Sequence, residues 1–167
     1  MRLSSYLRSY IFPRTLKAGT KTTAISLTAH DGTWVQSRDH SGESRILWVS
    51  CKNVNDEKTQ RWLRSFSRSI DELEKLNCRL FVVSSQTLDE IRTMHRSTDL
   101  GCLALYDPFA MESRKLGLAG RRPKCRDSVL LVNEQGVVIE GQCGQTEVSQ
   151  WLTLLGAKVE VQQDTDD

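Results

Sequence analysis

The clearest pattern of apolar and polar positions lies between Arg45 and Arg64. Residues 46–49 form a continuous apolar run rich in β-branched and aromatic side chains, which is typical of a strand buried on both faces. Residues 53–57 then offer a cap and first-turn acids for a helix. Its apolar positions recur at helical spacing: Trp62, Leu63, Phe66, Ile70 and Leu73. The pattern predicts a central strand followed by a long helix, whose N-terminus would lower a thiol pKa or hold an anion.

The rest of the chain alternates strand and helix patterns. A small hairpin is predicted from Thr23–Thr28 and Thr33–Gln36, because Asp31 and Gly32 between them form turns. Further strands are predicted over 79–84, 103–106, 128–133 and 137–140, and further helices over 87–95, 109–117 and 147–155. Gly156 is expected to end the last helix. This order predicts an α/β, thioredoxin-like three-layer sandwich with a central mixed sheet and an additional N-terminal hairpin.

Charge divides the chain into three parts, which we interpret as a basic extension (1–15), one domain (16–156) and an acidic polar tail (157–167). The first 30 residues contain no Asp or Glu, and Pro13 ends an amphipathic pattern near the N-terminus. One helical face of that pattern is apolar: Leu3, Tyr6, Leu7, Tyr10 and Ile11. Three interpretations remain open for this face, namely packing on its own domain, docking on a membrane surface or larger complex, and an organellar transit peptide.

Composition narrows the possible functions. The 167 residues are 38% hydrophobic and 26% charged, as in an ordinary soluble domain, and no apolar run is long enough to cross a bilayer. The five cysteines, with no secretory signal, indicate free thiols in a reducing compartment. The cysteines and histidines do not have the spacing of a metal site, so we expect neither metal nor cofactor. We therefore predict a cytoplasmic protein, peripheral to a membrane if its N-terminus docks there and organellar if that segment is a transit peptide.

Basic residues crowd into a short span that contains Arg121, Arg122, Lys124 and Arg126. Such a patch beside a helix N-terminus would bind phosphate, an acidic partner or anionic lipid, and the alternative is a solvated loop. No aromatic residue is interleaved with these charges, and the net charge is only +2. A stacking platform for single-stranded nucleic acid is therefore not predicted.

Several segments resemble one known family. They are LKAGTKTTAISLTAHDGTWV, ILWVS, CRLFVVSSQTLDEI, LALYDPFAMESRKLGL and SVLLVNEQGVVIEGQCG, which together fall within residues 16–156. Their order and spacing resemble the peroxiredoxin superfamily, in its alkyl hydroperoxide reductase and thiol-specific antioxidant branch. The most local signals are YDP before a short helix and NEQG in the last hairpin. The resemblance implies a thioredoxin-like fold of the peroxiredoxin type and, in typical members, peroxide reduction by a cysteine.

The positions that carry this chemistry in the family are occupied by other residues here. Counting from ILWVS, the peroxide-reactive cysteine falls at Lys58, and the threonine or serine that hydrogen-bonds it falls at Asn55. Counting back from NEQG, the arginine that polarises the peroxide falls at Asp127, one position from Arg126. A shift of one position turns an extended side chain to the opposite face. The resemblance therefore implies a divergent member without the usual catalytic cysteine.

Two functional hypotheses follow from the sequence. The first is a non-catalytic binding or assembly subunit, with a protein partner or complex, peripheral membrane contact through the N-terminal helix, and no nucleic acid. The alternative is a divergent thiol oxidoreductase or peroxidase that uses Cys51, at the end of the central strand, with Cys125 as the resolving thiol. A thiolate at Cys51 would need a lowered pKa, supplied by a nearby cation or the helix dipole. The sequence makes no prediction of oligomeric state.

Overall fold

The computed structural model describes residues 15–120 and 122–163. Its centre is a seven-stranded mixed sheet. The predicted α/β, thioredoxin-like architecture with an added N-terminal hairpin is confirmed. The N-terminal docking residues Leu3, Tyr6, Leu7, Tyr10 and Ile11 lie outside the described residues, as does Arg121.

Seven strands and five helices follow one another along the described chain. The strands are β1 (Ser26–Ala29), β2 (Trp34–Gln36), β3 (Arg45–Cys51), β4 (Cys78–Ser84), β5 (Leu103–Tyr106), β6 (Ser128–Val132) and β7 (Val138–Cys143). The helices are α1 (Glu57–Ser67), α2 (Ile70–Lys75), α3 (Leu88–Ser97), α4 (Met111–Lys115) and α5 (Val148–Gln163), and Ser37–His40 form a 3₁₀ turn.

The central strand β3 is fully buried and joins a parallel half of the sheet to an antiparallel half. It pairs in parallel with β4, where Leu47 lies opposite Leu80, and antiparallel with β6, where Leu47 lies opposite Leu131. The parallel strands β3, β4 and β5 all end at one edge of the sheet. The N-termini of α1 and α3, which follow β3 and β4, therefore meet at that edge. This edge is where the fold can hold a reactive group or an anion.

Side chains alternate along β3 and so divide the core into two layers. Leu47 and Val49 face the layer covered by α1, α3 and α5, where Phe66 and Trp151 are buried. Ile46 and Trp48 face the opposite layer, which includes Phe81 and the residues that flank α4. The ring centroids of Trp48 and Phe81 lie 5.2 Å apart. Because both faces of the sheet are covered, the central strands read as continuous apolar runs rather than as alternating ones.

The prediction of one long helix after β3 is wrong, because the structure has two helices there, α1 and α2. The break falls at Arg68 and Ser69. The Ser65 hydroxyl donates to the Trp62 carbonyl at 2.6 Å, and the Ser69 hydroxyl donates to the Ser65 carbonyl at 3.1 Å. Hydroxyls that bond back onto helix carbonyls compete with the helix hydrogen bonds and favour a bend. Ile70 and Leu73 still pack against the same core layer.

The last two elements are longer than the sequence pattern predicts. Strand β7 extends to Cys143, and α5 continues through Gly156 to Gln163. The expected helix end at Gly156 is therefore wrong. Glycine favours a helix terminus only where the backbone turns into the left-handed region, and Gly156 remains helical.

The order of the strands across the sheet is β2-β1-β5-β4-β3-β6-β7. The two outermost strands, β7 and β2, differ in how their outer sides are covered. The outer edge of β7 is covered by the segment that precedes β1, because Gly19 N donates to the Val138 carbonyl at 2.8 Å and Val138 N donates to the Thr20 carbonyl at 2.9 Å. The Thr15 hydroxyl also donates to the Gly141 carbonyl at 3.2 Å. At the other end, β2 is the last strand of the described sheet. No helix within the described residues is long and apolar enough to span a membrane.

Candidate functional site

The N-terminus of α1 lies at the sheet edge where the fold positions its chemistry. Asp56 caps this helix, and its carboxylate accepts from Thr59 N at 3.0 Å and from the Thr59 hydroxyl at 3.3 Å. Thr59 is buried, whereas Asn55 and Lys58 are exposed. The side chain that points inward from the first turn of α1 is therefore a threonine hydroxyl.

A second carboxylate reaches the same place from the segment before β6. Asp127 accepts from Lys52 N at 2.8 Å and from the Gln145 side-chain amide at 3.1 Å. The same Gln145 nitrogen also donates to the Thr59 hydroxyl at 3.0 Å. We call Asp56, Thr59, Asp127 and Gln145 the Asp127 cluster. It joins the α1 N-terminus to the loop after β7 through side chains alone.

The loop between β3 and α1 is also tied to the start of α3. The Gln86 side-chain oxygen accepts from Val54 N, and the Asn55 amide donates to the Glu90 carboxylate at 2.8 Å. Glu90 forms a capping box with Thr87, and hydrogen bonds from Thr87 lower the pKa of Glu90, helped by Asn55. The N-termini of α1 and α3 are thus capped by the chain's own side chains, and the carboxylates among them, Asp56 and Glu90, compete with any external anion.

The predicted nucleophile Cys51 has unsuitable surroundings. Its side chain is fully buried in the helix-covered layer. Burial raises the pKa of Cys51 well above its usual range, and the nearby negative charge of Asp127 raises it further. A reactive thiol requires the opposite, namely partial exposure and a neighbouring positive charge. The structure therefore favours the interpretation of Cys51 as a packing residue.

Cys125, the predicted resolving thiol, is also buried. Its thiol donates to the Ser113 hydroxyl at 3.3 Å, and that hydroxyl donates to the buried Asp107 carboxylate at 2.7 Å. Burial raises the pKa of Cys125 to about 11, although the bond to Ser113 opposes the rise. Cys125 is close enough to Cys51 to affect its pKa, but the two side chains belong to opposite core layers. Both are free thiols.

Cys143 is a further cysteine, one that the sequence pattern did not single out. Cys143 ends β7, where it pairs with Ser128 of β6, and its side chain is exposed. This register brings it close enough to Arg126 to affect the pKa of that residue, which burial lowers and Cys143 raises. Gln145, two residues further on, was also missed. The contacts of both residues depend on the β6–β7 pairing and on long-range packing, which leave no local signal in the sequence.

The basic span forms a loop that is fastened to α4. The buried Arg114 side chain donates to the carbonyls of Gly120 and Arg122, both at 3.1 Å. Arg126 is half-buried and donates to the Gly117 carbonyl at 2.8 Å, so its role within the predicted anion patch is at least partly structural. Arg122 and Lys124 are exposed, which leaves them as the described cations of this patch.

Within residues 15–120 and 122–163, no three His, Cys, Asp or Glu side chains are grouped so that they could hold a metal ion.

Known proteins match the structure of the chain but not its sequence. No known family description and no curated protein sequence matches it. Among solved structures, peroxidoxin BcpB from Mycobacterium tuberculosis aligns with a TM-score of 0.77 and 11% identity, covering 85% of this chain and 97% of its own. A mutant of PrxQ from Xylella fastidiosa aligns with a TM-score of 0.79 and 12% identity, covering 87% and 99%. The reduced 2-Cys peroxiredoxin from Plasmodium vivax gives 0.79 and 12%, covering 89% and 84%.

These matches confirm the fold that the sequence resemblance implied. The chain has the thioredoxin-like fold of peroxiredoxins over most of its length. At 11–12% identity, a shared fold does not carry the activity of one protein over to another.

Proposed function

We propose that this protein is a peroxiredoxin-fold subunit that has lost the usual peroxidatic site and acts by binding a partner. One observation carries the proposal: two carboxylates lie at the start of α1, where Asp56 bonds Thr59 directly and Asp127 is linked to Thr59 through the Gln145 amide. Thiol peroxidase chemistry needs a stabilised thiolate and a nearby cation at this edge of the fold.

The electrostatics of the Asp127 cluster oppose that chemistry. A thiolate about 4 Å from a carboxylate is destabilised by ~1 kcal/mol in water and by ~4 kcal/mol at an effective dielectric constant of 20. Asp127 already acts in this direction on Cys51. The hydrogen-bond donors at the site, Lys52 N and the Gln145 amide, are occupied by Asp127 and Thr59. The site therefore favours a structural role over turnover.

A peroxide-consumption assay with the full chain tests the loss of activity. We expect the wild type, with a thiol reductant present, to consume hydrogen peroxide no faster than the Cys51→Ser variant. A trap for sulfenic acid should likewise leave Cys51 unmodified, because peroxide reacts with the thiolate form. Turnover that disappears in Cys51→Ser would contradict the proposal.

The exposed surface next to α4 is our candidate for the binding site. Phe109 is 65% exposed and Met111 is 57% exposed, so two large apolar side chains face solvent within three positions of the chain. Met111 lies one helical turn before Arg114, whose guanidinium holds the Arg122 carbonyl. We call Phe109, Met111, Arg122 and Lys124 the α4 surface. Its combination of apolar side chains and cations fits an acidic protein segment that carries apolar residues.

Defined peptides can test the α4 surface. We expect a glutamate–leucine peptide to bind more tightly than a lysine–leucine peptide of equal length, with affinity falling as salt rises. The double variant Met111→Ser with Lys124→Glu should weaken binding about tenfold, equivalent to about 1.4 kcal/mol. Trp34→Ser is the matched control, because Trp34 is 58% exposed on β2 and lies outside this surface. Equal binding of both peptides, or an equal loss in the Trp34→Ser control, would show that the α4 surface is not the site.

We include attachment through the N-terminus in the same proposal. The face formed by Leu3, Tyr6, Leu7, Tyr10 and Ile11 offers several kcal/mol of burial at ~25 cal/mol per Å², part of which is offset by ordering the segment. Deleting residues 1–12 should leave the melting temperature almost unchanged while abolishing binding to anionic vesicles or to the partner complex. A large loss of thermal stability without a change in binding would instead place this face in the protein's own core.

Thiol chemistry remains as the second candidate function, and one observation moves it to a different residue. Cys143 is exposed and Cys51 is buried, so a thiol reaction is expected at Cys143 rather than at Cys51. A thiol reagent should label Cys143 first in the native protein and Cys51 only on unfolding, as judged by mass spectrometry. Peroxide consumption lost in Cys143→Ser but retained in Cys51→Ser would favour this second function.

A further inference from the structure

Two histidines from different elements stack at the start of β5, at the opposite end of the parallel strands from the Asp127 cluster. His30 follows β1 in the hairpin turn, and His95 lies in the last turn of α3. Their ring centroids are 3.6 Å apart, with an angle of 22° between the planes. Both rings also contact the backbone at the start of β5. The stack therefore connects the β1–β2 hairpin to α3 and to β5.

The partners of the two rings determine where their protons lie. The His95 Nε2 atom lies 3.0 Å from the Cys102 carbonyl, which can only accept, so Nε2 carries a hydrogen. The Ala104 amide donates to His30 Nδ1 at 3.3 Å, so Nδ1 carries none. Protonating His95 at its other nitrogen leaves its hydrogen bond intact. Protonating His30 at Nδ1 removes the acceptor of the Ala104 amide.

We propose that the His30–His95 stack is an acid-sensitive contact that holds the β1–β2 hairpin against β5 and α3. A proton on His30 Nδ1 turns a donor–acceptor contact with Ala104 N into two opposed donors. It also places a positive charge in a ring stacked at 3.6 Å on a second titratable imidazole. The hairpin end has two further bonds here, His30 N to the Ala104 carbonyl at 2.7 Å and Arg92 Nε to the His30 carbonyl at 2.9 Å.

Some of the groups around the stack lower the pKa of His30 and others raise it. Burial lowers the pKa of His30 from its usual 6.5, and His95 and Arg92 lower it as well, whereas the adjacent Asp31 and a backbone hydrogen bond with Ala104 oppose them. On α3, Asp89 pairs with Arg92 at 3.5 Å. Glu74 and Arg79 lie across the cavity of about 450 Å³ that His30 and His95 line. The net direction favours neutral His30 in the closed hairpin.

The direction of the pH effect follows from linkage. An open hairpin returns the His30 pKa towards 6.5, so the open state binds protons more readily than the closed one. The stack therefore stabilises the closed hairpin fully above about pH 6.5 and stabilises it less as the pH falls below that value. Opening would release β1 and β2, the sheet edge that carries Trp34.

Amide hydrogen exchange detected by NMR tests this inference on the full chain. Protection factors, which remove the intrinsic pH dependence of exchange, would be compared at about pH 7 and about pH 5. We expect the His30 and Ala104 amides to lose protection by about tenfold at the lower pH, while Leu130 in β6 keeps its protection. Unchanged protection of His30 and Ala104 would overturn the proposal.

Two variants separate the stack from general acid effects. His30→Asn retains an acceptor oxygen near the position of Nδ1 but cannot titrate, so the pH dependence at Ala104 should disappear. His40→Gln is the matched control, because the pKa of His40 is also lowered by burial but its ring contacts Phe81 instead. It should leave the hairpin response intact. A pH response that persists in His30→Asn, or wild-type ring ¹⁵N shifts that show a protonated His30 Nδ1 near pH 7, would overturn the proposal.

Discussion

Replacing Asp127 with alanine should destabilise the fold by about 2 kcal/mol, because a hydrogen bond to a charged group contributes roughly 1.5–3 kcal/mol. The change removes the acceptor of Lys52 N at 2.8 Å and of the Gln145 amide at 3.1 Å. We expect the lower part of the range, since Asp127 is partly exposed and water can replace part of what is lost. Gln145 retains its second bond, to Thr59.

Urea unfolding followed by circular dichroism would measure the loss in the free energy of unfolding, and thermal unfolding would measure the change in melting temperature. At ~2–4 °C per kcal/mol for a domain of this size, the melting temperature should fall by about 4–8 °C. Asp127→Asn keeps one acceptor oxygen and should lose about half as much. Asp39→Ala removes an exposed carboxylate from the 3₁₀ turn and should change little.

The same variants carry a second readout at Cys51. Burial is the larger cause of its raised pKa and Asp127 the smaller one, so Asp127→Ala should leave Cys51 unreactive towards thiol reagents. Wild-type stability in Asp127→Ala would show that water fully replaces these bonds. Rapid labelling of Cys51 in a folded Asp127→Ala variant would show that charge rather than burial suppresses the thiol, and our reasoning about the site would fail.

Two further predictions concern pH and packing. The pKa of His40 is lowered by burial and by Arg79, so its contribution to stability is complete above about 6.5 and is lost as the pH falls below that value; denaturant unfolding at several pH values should show a smaller decline in His40→Gln than in the wild type. Gly141→Ala would place a Cβ 3.0 Å from Leu130 Cδ1 and 3.2 Å from the Leu16 carbonyl, so overpacking should destabilise the fold by about 1–3 kcal/mol in the same assay, and an unchanged midpoint would show that the neighbouring segment moves aside without cost.

The sequence predicted the fold well because its signals are local. Strand β5 falls at Leu103–Tyr106 as predicted, since a short apolar run between turn residues has few alternatives. The break in the predicted long helix was missed because apolar spacing continues through Ile70 and Leu73 while the hydroxyls of Ser65 and Ser69 bend the backbone. Periodicity reports which face is buried and not where hydrogen bonds shift.

The candidate site could be predicted only in part. Counting along the chain placed Asp127 at the position of the family's arginine, and in the structure Asp127 is hydrogen-bonded to the start of the loop after β3. The count identified Lys58, whereas the structure turns the next residue, Thr59, inward. Gln145 and Cys143 were missed because an antiparallel register and long-range packing bring them to the site. Such contacts depend on pairing geometry, which single-sequence patterns do not contain.

The unequal edges of the sheet limit how copies of this protein could assemble. The segment that begins at Thr15 blocks β7 as a pairing surface, whereas β2 ends the described sheet at the other side. Edge-to-edge pairing through β2 would join two copies about a twofold axis and would pair the outer strand of the described sheet in each. Assembly through β2 would then stop at a dimer. The residues that cover the outer side of β7 therefore protect the chain from polymerising into a continuous cross-β fibre.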